Sequence, residues 1–362
     1  MERRTFLTTA TLGAAASALA APALAQTQPE IKWRLASSFP KSLETLFGTG
    51  EYITRRVAEA TDGKFQIRSF AAGELVPGLQ VLDTVQAGTV ECGHTVSYYY
   101  VGKDPTFGFE STMPFGTNTR QQNAWLYQGG GLELMRDFFR SYNVINFPAG
   151  NTGTQMGGWF RKEIKTVEDL KGLKFRIAGY AGRVLTKLGV VPQQLAGSDV
   201  YPALEKGTID GAEWVGPADD EKLGFHKVAP YYYYPGWWEG GPTVTMLVNI
   251  AAWEKLPKAY QAIFESACAD ANLHMSAKYD VLNPPALKRL VANGAKLRPF
   301  SKEIMQACYK ASQETFAEDA AHNPAFKKVF EHWSAFLEEQ RSWFRVAEFG
   351  FDNFVLNGIP KK

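Results

Sequence analysis

Arg176 is the residue of this sequence whose type and surroundings point most directly to chemistry. It stands between Phe175 and Ile177 in a short predicted strand, and Ala-Gly-Tyr-Ala-Gly follows. A guanidinium group among apolar residues is unfavourable unless it is paired. Its planar donors match a carboxylate group through two parallel hydrogen bonds. The sequence therefore predicts either a bound carboxylate at Arg176 or an ion pair within the protein, and it leaves both open.

Two glutamates further along the chain stand in apolar, glycine-rich surroundings. Glu213 begins the run Glu-Trp-Val-Gly-Pro, and Glu239 follows two tryptophans in Trp-Trp-Glu-Gly-Gly-Pro. A buried carboxylate needs a cation as its partner. Together with the amide oxygen of Gln155, the two carboxylates could form an oxygen cage for a hard cation such as Na⁺ or Ca²⁺. The alternative is that both glutamates are ordinary surface groups near a turn.

Two further clusters supply uncharged polar groups. Asn151 and Gln155 lie in the run Asn-Thr-Gly-Thr-Gln-Met-Gly-Gly-Trp, which predicts a polar binding loop, a hinge, or both. Tyr98, Tyr99 and Tyr100 follow a predicted strand, and ligands of open α/β sheets bind beyond the carboxyl ends of strands. Each tyrosine combines an apolar ring with a hydroxyl group. An aromatic protein surface is an equally good interpretation of the triplet.

Composition and motifs argue against several classes of function. The formal net charge is +2 without a long run of one sign, so we expect no nucleic-acid partner. The sequence contains no Gly-x-Ser-x-Gly, His-Glu-x-x-His, Walker or dinucleotide motif. We therefore expect no enzyme activity; a metal-dependent periplasmic hydrolase or isomerase with Glu213 or Glu239 as the base is the alternative. The three widely spaced cysteines predict buried thiols rather than a disulfide.

The N-terminus has the pattern of a targeting segment. Arg3 and Arg4 precede Thr-Phe-Leu, an alanine-rich apolar stretch covers 13–21, and Ala-Leu-Ala at 23–25 forms a small-residue cleavage site. The paired arginines favour a twin-arginine signal, with an ordinary Sec signal as the alternative. Residues 1–25 are therefore a predicted signal peptide, and we expect a periplasmic protein that begins near Gln26.

The elements that must position the polar clusters form two successive α/β blocks. Strands and helices alternate over residues 31–95 and again over 157–214, which predicts sheets covered by helices with a cleft between two lobes. Residues 243–249 form a strand that is predicted to return to the first lobe, and residues 258–282 form a long helix. Residues 324–349 are predicted to be helical with apolar residues on more than one stripe, so this helix must pack on the body or on a partner.

At the polar clusters the sequence resembles the extracytoplasmic receptors of TRAP transporters, and within them the branch that binds α-keto acids. The resemblance covers the chain from about residue 31 onward. It is carried by Phe175-Arg-Ile, Val191-Pro-Gln-Gln, Ala203-Leu-Glu-Lys-Gly-Thr-Ile-Asp-Gly, Glu213-Trp-Val-Gly-Pro and Tyr231-Tyr-Tyr-Tyr-Pro-Gly-Trp-Trp-Glu-Gly-Gly-Pro. The Glu-Trp pair and the Trp-Trp-Glu-Gly-Gly-Pro run are the parts specific to that branch.

The resemblance implies a fold, a ligand and a set of site residues. The fold would be α/β, with two lobes as in periplasmic binding proteins, hinge strands, a long bracing helix and a C-terminal helix. The ligand would be a small 2-oxo acid such as pyruvate, bound with a cation; we expect Na⁺, with Ca²⁺ as the alternative. The residues implied to contact the acid are Arg176, Asn151, Tyr98, Tyr99, Gln155 and Trp214. The residues implied to hold the cation are Gln155, Glu213, Glu239 and, through its backbone carbonyl, Trp214.

The implied organisation has a first lobe over 28–150 and 238–286 and a second over 151–237 and 287–323. The remaining residues, 324–362, form a C-terminal helix region, through which some relatives form a homodimer. Closure of the lobes would trap the acid and create the form that TRAP membrane permease subunits recognise. Lactate or another hydroxy acid, and a dicarboxylate, are the alternative ligands.

Overall fold

Two mixed β-sheets form the centre of the protein, which the computed structural model describes from residue 28 to residue 359. The predicted signal peptide over 1–25 lies outside the described residues. The strands are β1 (Ile31–Ser37), β2 (Phe65–Phe70), β3 (Cys92–Thr95), β4 (Val144–Asn151), β5 (Gly158–Phe160), β6 (Lys174–Arg176), β7 (Val191–Gln193), β8 (Gly211–Ala212), β9 (Tyr231–Tyr234), β10 (Thr243–Asn249) and β11 (Lys296–Pro299).

Helices cover both sheets, as the strand–helix alternation predicts. They are α1 (Leu46–Ala60), α2 (Val81–Gln86), α3 (Gly108–Ser111), α4 (Thr119–Tyr127), α5 (Gly131–Arg140), α6 (Tyr180–Thr186), α7 (Gly197–Lys206), α8 (Pro217–Leu223), α9 (Ile250–Glu254), α10 (Lys258–Ala292), α11 (Lys302–His322), α12 (Pro324–Val346) and α13 (Glu348–Asn353). The sequence did not indicate α3 to α5, α8, α9 or α11.

The first sheet has the strand order β2-β1-β3-β10-β4 and the second has the order β11-β9-β5-β8-β6-β7. β1 pairs in parallel with β2 and β3, and β10 lies antiparallel between β3 and β4. The return of the chain to the first sheet at β10 is therefore confirmed. Two sheets with their own helices make two lobes, as predicted, while the residue boundaries of the lobes stay a prediction.

Burial explains why β1 is recognisable in the sequence and β4 is not. In β1, Trp33 and Leu35 are buried whereas Lys32 and Arg34 are exposed, which gives the alternation of a half-buried strand. All eight residues of β4 are buried, so its sequence shows no alternation. β4 also contains Pro148, which its position at the edge of the sheet allows.

The long helix α10 braces the two lobes. It packs on β4, where Met275 contacts Gly150, and on α8, where the Tyr279 hydroxyl donates a 2.7 Å hydrogen bond to Asp219. The helix was predicted to end at residue 282, but it continues through two prolines to Ala292. The carbonyls that lose their donors to Pro284 and Pro285 belong to two exposed residues, Asp280 and Val281, and can bond to water.

The C-terminal helix α12 packs on the first lobe through its N-terminal half. The indole ring of Trp333 is 3% exposed and contacts Phe109 with a ring-centroid distance of 5.6 Å. Trp343, ten residues later, is 55% exposed. The predicted helix over 324–349 is therefore correct up to Val346, where a break separates it from α13.

Replacing Trp333 with alanine should destabilise the protein because it leaves a cavity under α12. Large aromatic-to-alanine changes in cores cost about 3–5 kcal/mol in the free energy of unfolding. Trp343→Ala is the matched control on the same helix, and its cost should stay within about 0.5 kcal/mol. Urea unfolding followed by circular dichroism would measure both values. Equal losses for the two variants would contradict the packing described for α12.

Candidate functional site

The two segments that cross between the sheets lie side by side. One joins β4 to β5 and carries Gln155, and the other joins β9 to β10 and carries Glu239. The Gln155 amide donates to the Glu239 carbonyl (3.0 Å), and the Gly236 amide donates to the Gln155 carbonyl (2.9 Å). A Cβ atom at Gly236 would lie 2.7 Å from the carbonyl oxygen of Met156, so glycine is required for this close approach. The hinge therefore brings Gln155 and Glu239 together.

Arg176 enters the same region from the end of β6, where it pairs with Ala212 of β8. Its side chain is buried, and Nη1 donates to both the backbone carbonyl of Glu213 (2.8 Å) and the Glu213 carboxylate. Nε donates to the Leu195 carbonyl (3.2 Å), and the guanidinium carbon lies 4.7 Å from the ring centroid of Trp214. The ion pair that the sequence allowed is present. Among the described residues these bonds use Nε and Nη1, so Nη2 is the nitrogen left for a ligand.

Three buried side-chain oxygens of this region have no hydrogen-bond partner among residues 28–359: Gln155 Oε1, Glu213 Oε2 and Glu239 Oε2. Leaving a buried acceptor unpaired costs about 1–3 kcal/mol, and more for a charged group. Burial raises the pKa of Glu239 well above its ordinary value, and the nearby charge of Glu213 raises it further. Burial also raises the pKa of Glu213, which the charge of Arg176 opposes. The site therefore favours the arrival of positive charge.

A hard cation fits this set of atoms. Na⁺ and Ca²⁺ bind carboxylate and carbonyl oxygens, and a bound cation would compensate the carboxylate charge that Arg176 leaves unmatched. Within residues 28–359, no three His, Cys, Asp or Glu side chains cluster in a way that suits a metal ion. A cation here would therefore depend on neutral oxygens in addition to Glu213 and Glu239, and the amide oxygen of Gln155 is such a group.

Trp214 contributes both its ring and its backbone to the site. The ring lies over Arg176, and its indole Nε1 is buried without a partner in the described part of the chain. The carbonyls on either side, of Glu213 and Val215, both accept hydrogen bonds. Space for the ring exists because residue 197 is glycine, where a Cβ atom would come within 2.6 Å of it. The predicted roles of Trp214 toward acid and cation stay predictions, and its position is compatible with both.

The tyrosine triplet forms a short 3₁₀ turn, and its members face different ways. The Tyr100 hydroxyl points into the first lobe, where it accepts from the Leu82 amide (3.1 Å) and bonds to the Thr95 hydroxyl (2.9 Å). Burial raises the pKa of Tyr98 and Tyr99, and the charge of Glu239 raises that of Tyr98 further. Tyr98 and Tyr99 are thus the two that lie near the charged groups.

Asn151 is buried at the hinge, where its amide holds three segments together. Its Oδ1 accepts from the Thr119 hydroxyl and from the Gly153 amide, each at 2.9 Å, and its Nδ2 donates to the Gly241 carbonyl at 2.9 Å. The side chain therefore fixes the crossing segments. Contact with a ligand through the remaining Nδ2 hydrogen stays a prediction.

Two acidic residues that the sequence did not single out support the loop of Glu213 and Trp214. Asp220, in the first turn of α8, accepts from Trp159 Nε1 (2.9 Å) and from the Tyr232 hydroxyl (2.7 Å). Asp219 accepts from Tyr279 of the bracing helix. Burial raises the pKa of Asp220 to about 7 and that of Asp219 to about 6. Their place two and three residues after Glu-Trp-Val-Gly-Pro was the available signal.

A hydrogen bond also joins the two lobes across the site. Gln194 Nε2, just after β7 in the second lobe, donates to the Tyr99 carbonyl in the first lobe at 2.9 Å. Gly179 approaches the ring of Tyr98 so closely that a Cβ atom would lie 3.0 Å from it. These contacts define a closed arrangement. The sequence placed Gln194 in a family segment but gave it no role.

Two lobes that close over a buried, charged hinge site define the class of bacterial solute-binding proteins. The DctP family model, described as bacterial extracellular solute-binding protein, family 7, matches residues 36–323. The chain belongs to this family. The predicted receptor class and the predicted periplasmic location are therefore confirmed. No helix within residues 28–359 is both long enough and apolar enough to cross a bilayer.

Relatives of known name or structure resemble the whole chain. A protein of Nostoc sp., named monocarboxylate 2-oxoacid-binding periplasmic protein, is 56% identical over 361 residues, which cover 98% of this chain and 99% of the relative. A TRAP transporter solute-binding protein of Bordetella bronchiseptica is 53% identical with a TM-score of 0.90, covering 91% of this chain and 98% of that one. It is described as a dimer of mixed occupancy, with calcium and picolinate in one site.

A third relative is described with a ligand of the predicted class. The TRAP periplasmic solute-binding protein of Pseudoalteromonas atlantica, with bound sodium and pyruvate, is 40% identical with a TM-score of 0.86 and covers 89% of this chain and 98% of its own. The predicted two-lobe α/β fold is confirmed by these structures.

The raised pKa of Asp220 predicts a pH dependence of stability that Asp220→Asn should reduce. Because the folded protein holds this proton up to about pH 7 while the unfolded chain releases it near pH 4, the group makes the unfolding free energy fall as pH rises through that window. Because the asparagine does not titrate, the fall of the unfolding free energy with pH should become shallower by up to about 1.4 kcal/mol per pH unit. Urea unfolding at pH 4.5, 5.5, 6.5 and 7.5 would measure it. Equal slopes for wild type and variant would contradict the assignment.

Proposed function

We propose that this chain is the periplasmic receptor of a TRAP transporter and captures a small 2-oxo acid together with a cation. The observation that carries the proposal is the buried Arg176 beside three unpartnered buried oxygens at the hinge. The guanidinium group matches the carboxylate of the acid, and the oxygens match a hard cation.

The site residues have two proposed tasks, which are to contact the acid and to hold the cation. Arg176 binds the carboxylate through Nη2, which removes the cost of burying that anion. When bound, the cation supplies positive charge toward the carboxylate and keto oxygens of the acid. The residues proposed to hold the cation are Gln155, Glu213, Glu239 and, through its backbone carbonyl, Trp214. The residues proposed to contact the acid are Arg176, Asn151, Tyr98, Tyr99, Gln155 and Trp214.

The relatives support this choice of acid and cation. The Nostoc protein is named for monocarboxylate 2-oxoacids, and the Pseudoalteromonas structure is described with sodium and pyruvate. A protein of Colwellia psychrerythraea, 38% identical with a TM-score of 0.87, is described with calcium and pyruvate; the match covers 90% of this chain and all of that one. Sodium is the cation that we propose, and calcium is the alternative.

The site favours a monocarboxylate over a dicarboxylate. A second carboxylate on the ligand would add negative charge beside Glu213 and Glu239, both buried. The buried rings of Trp237 and Trp238 follow the hinge and pack on Phe115, Phe175 and Phe300, and we propose that this aromatic cluster suits a short acyl chain. A hydroxy acid such as lactate differs from pyruvate by a hydroxyl group in place of the keto oxygen, so competition between these acids separates the alternatives.

Binding without turnover is proposed because the site offers no catalytic arrangement. Arg176 and Glu213 are paired with each other, and the proton-carrying group beside Glu239 is the Tyr98 hydroxyl, whose pKa burial raises well above its ordinary value. The closed contacts of Gln194 and Tyr99 provide the form that the membrane permease subunits would recognise. The appearance of a product when the protein is incubated with pyruvate would support the enzyme alternative instead.

We further propose a homodimer through the C-terminal helix region. Apolar side chains crowd its exposed end: Trp343, Val346, Phe349, Phe351, Phe354 and Leu356 are each more than half exposed. A contiguous apolar surface of this kind marks a protein interface. The dimer described for the Bordetella structure supports the proposal.

Pyruvate binding should depend on Arg176 and on the cation. In isothermal titration calorimetry, Arg176→Lys keeps the charge but loses the planar donors, and the affinity should fall roughly tenfold to a hundredfold. Glu239→Gln should weaken binding and remove its dependence on Na⁺ or Ca²⁺. Arg298→Lys is the matched control, because Arg298 pairs with Glu163 in the same lobe at a partly exposed position.

The titrations also identify the acid and decide the proposal. We expect pyruvate to displace lactate, and succinate to compete poorly. If wild-type protein shows neither heat of binding nor a rise in Tm with any 2-oxo acid, with Na⁺ or with Ca²⁺ present, the proposed function is wrong.

A further inference from the structure

A second group of buried oxygens lies inside the first lobe, around the carboxylate of Glu110. The short helix α3 carries Glu110. Hydrogen bonds hold the chain on both sides of this residue. Gln122 Nε2 donates to the backbone carbonyls of Phe109 (3.0 Å) and Glu110 (2.9 Å), and the Ser111 hydroxyl donates to the Thr243 carbonyl (2.9 Å). Glu110 is 0% exposed. The carboxylate is thus held in place in the interior.

Strands of the first sheet supply the other oxygens. Asn146 of β4 donates through Nδ2 to Glu110 Oε1 at 2.7 Å, and its own Oδ1 is buried. Thr245 of β10 lies two residues from Leu247, the direct partner of Asn146, so both side chains extend from one face of the sheet. Ser97 follows β3 directly and begins the tyrosine turn. Three elements therefore converge on Glu110.

Four of these oxygens are buried without a hydrogen-bond partner in the part of the chain that the structure describes: Ser97 Oγ, Glu110 Oε2, Asn146 Oδ1 and Thr245 Oγ1. The Ser97 and Thr245 hydroxyls lie near the carboxylate and lower the pKa of Glu110, although neither makes a hydrogen bond of ordinary length and angle to it. Asn146 Oδ1 and an ionised Glu110 can only accept. The two hydroxyls can each donate one hydrogen, so Asn146 Oδ1 and the charge of the Glu110 carboxylate are what these side chains leave unsatisfied.

The charge of Glu110 is also unmatched. No salt bridge within residues 28–359 includes it. Arg136 is the basic residue that acts on it electrostatically; its Nη2 pairs with Glu265, and its Nε is buried without a hydrogen-bond partner in the described residues. A fully buried carboxylate is stable only with a counter-charge or with a proton. Burial raises its pKa to about 7, so a proton and a cation are the two ways in which the charge can be compensated near neutral pH.

We propose that Ser97, Glu110, Asn146 and Thr245 form a second cation site, and that it takes a monovalent hard cation, Na⁺. Carboxylate, amide and hydroxyl oxygens are the ligands that hard cations accept. One carboxylate balances one positive charge, whereas a divalent ion would leave an excess charge in the interior. A single water molecule would satisfy some of the acceptors but would leave the carboxylate charge without compensation.

This site shares no residue with the hinge site of Gln155, Glu213 and Glu239. Its Ser97 is the first residue of the turn that presents Tyr98 and Tyr99. A cation bound there orders the start of that turn from inside the lobe. The second site does not depend on the identity of the acid bound at the hinge.

Crystals grown with thallium(I) in place of sodium test the proposal directly. Anomalous scattering should show a peak enclosed by Ser97, Glu110, Asn146 and Thr245. A peak at the hinge site alone would overturn the second site and leave the proposed function intact. Peaks at neither place would count against both cation sites, and a peak in the first lobe alone would support the second site only.

A solution experiment isolates the second site by disabling the first. In a Glu239→Gln background, the Tm in NaCl should exceed the Tm in choline chloride of equal ionic strength, because Na⁺ binds the folded state. Adding Glu110→Gln should abolish that difference, and adding Thr245→Val should reduce it.

Thr106→Val in the same background is the matched control, because Thr106 Oγ1 is likewise buried and unpartnered but is not among the groups that act on the Glu110 carboxylate. It should leave the Na⁺ effect unchanged. Equal Tm values in NaCl and choline chloride for the Glu239→Gln protein would overturn the proposal.

Discussion

Charge removed from water at the hinge is the constraint on which the rest of this structure depends. Arg176 and Glu213 are almost fully buried, and their mutual bond offsets part of the cost of desolvating both groups. Glu239 adds a second carboxylate without a second guanidinium. Such an arrangement stays folded only if the surrounding segments hold it firmly. Its remaining negative charge favours the arrival of a cation.

The support for those charges comes from three directions. The two crossing segments bond to each other through Gln155, Gly236 and Glu239. Asp219 and Asp220 attach the loop of Glu213 to the bracing helix and to the second sheet. The local glycines at 197 and 236 provide room that any side chain would fill. The site is thus built mainly from backbone and from buried polar bonds, and its polar side chains are already oriented before a ligand arrives.

The sequence predicted those parts of the molecule whose residues carry a local signal. Strand β1 alternates, Arg176 stands among apolar residues, and Glu213 and Glu239 sit in distinctive glycine-rich runs. Strand β4 could not be predicted because burial on both faces removes the alternation.

Other features depend on contacts between distant segments. The direction of each tyrosine in the triplet depends on Leu82 and Thr95, and the continuation of α10 past Pro284 depends on packing at both of its ends. No pattern within a short window contains that information. The same holds for Asn151, whose amide was predicted to bind a ligand and is largely engaged by Thr119, Gly153 and Gly241.

Gln155 and Glu239 lie on the crossing segments themselves, and this position has a mechanical consequence. When two bodies rotate about a common axis, points near the axis move little and points at the rims move far. A solute held by a few atoms beside the pivot can therefore select between widely different outer shapes of the protein while its own binding groups shift only slightly. The location of the site can thus convert the free energy of holding a small solute into a larger change of the outer surface of the protein.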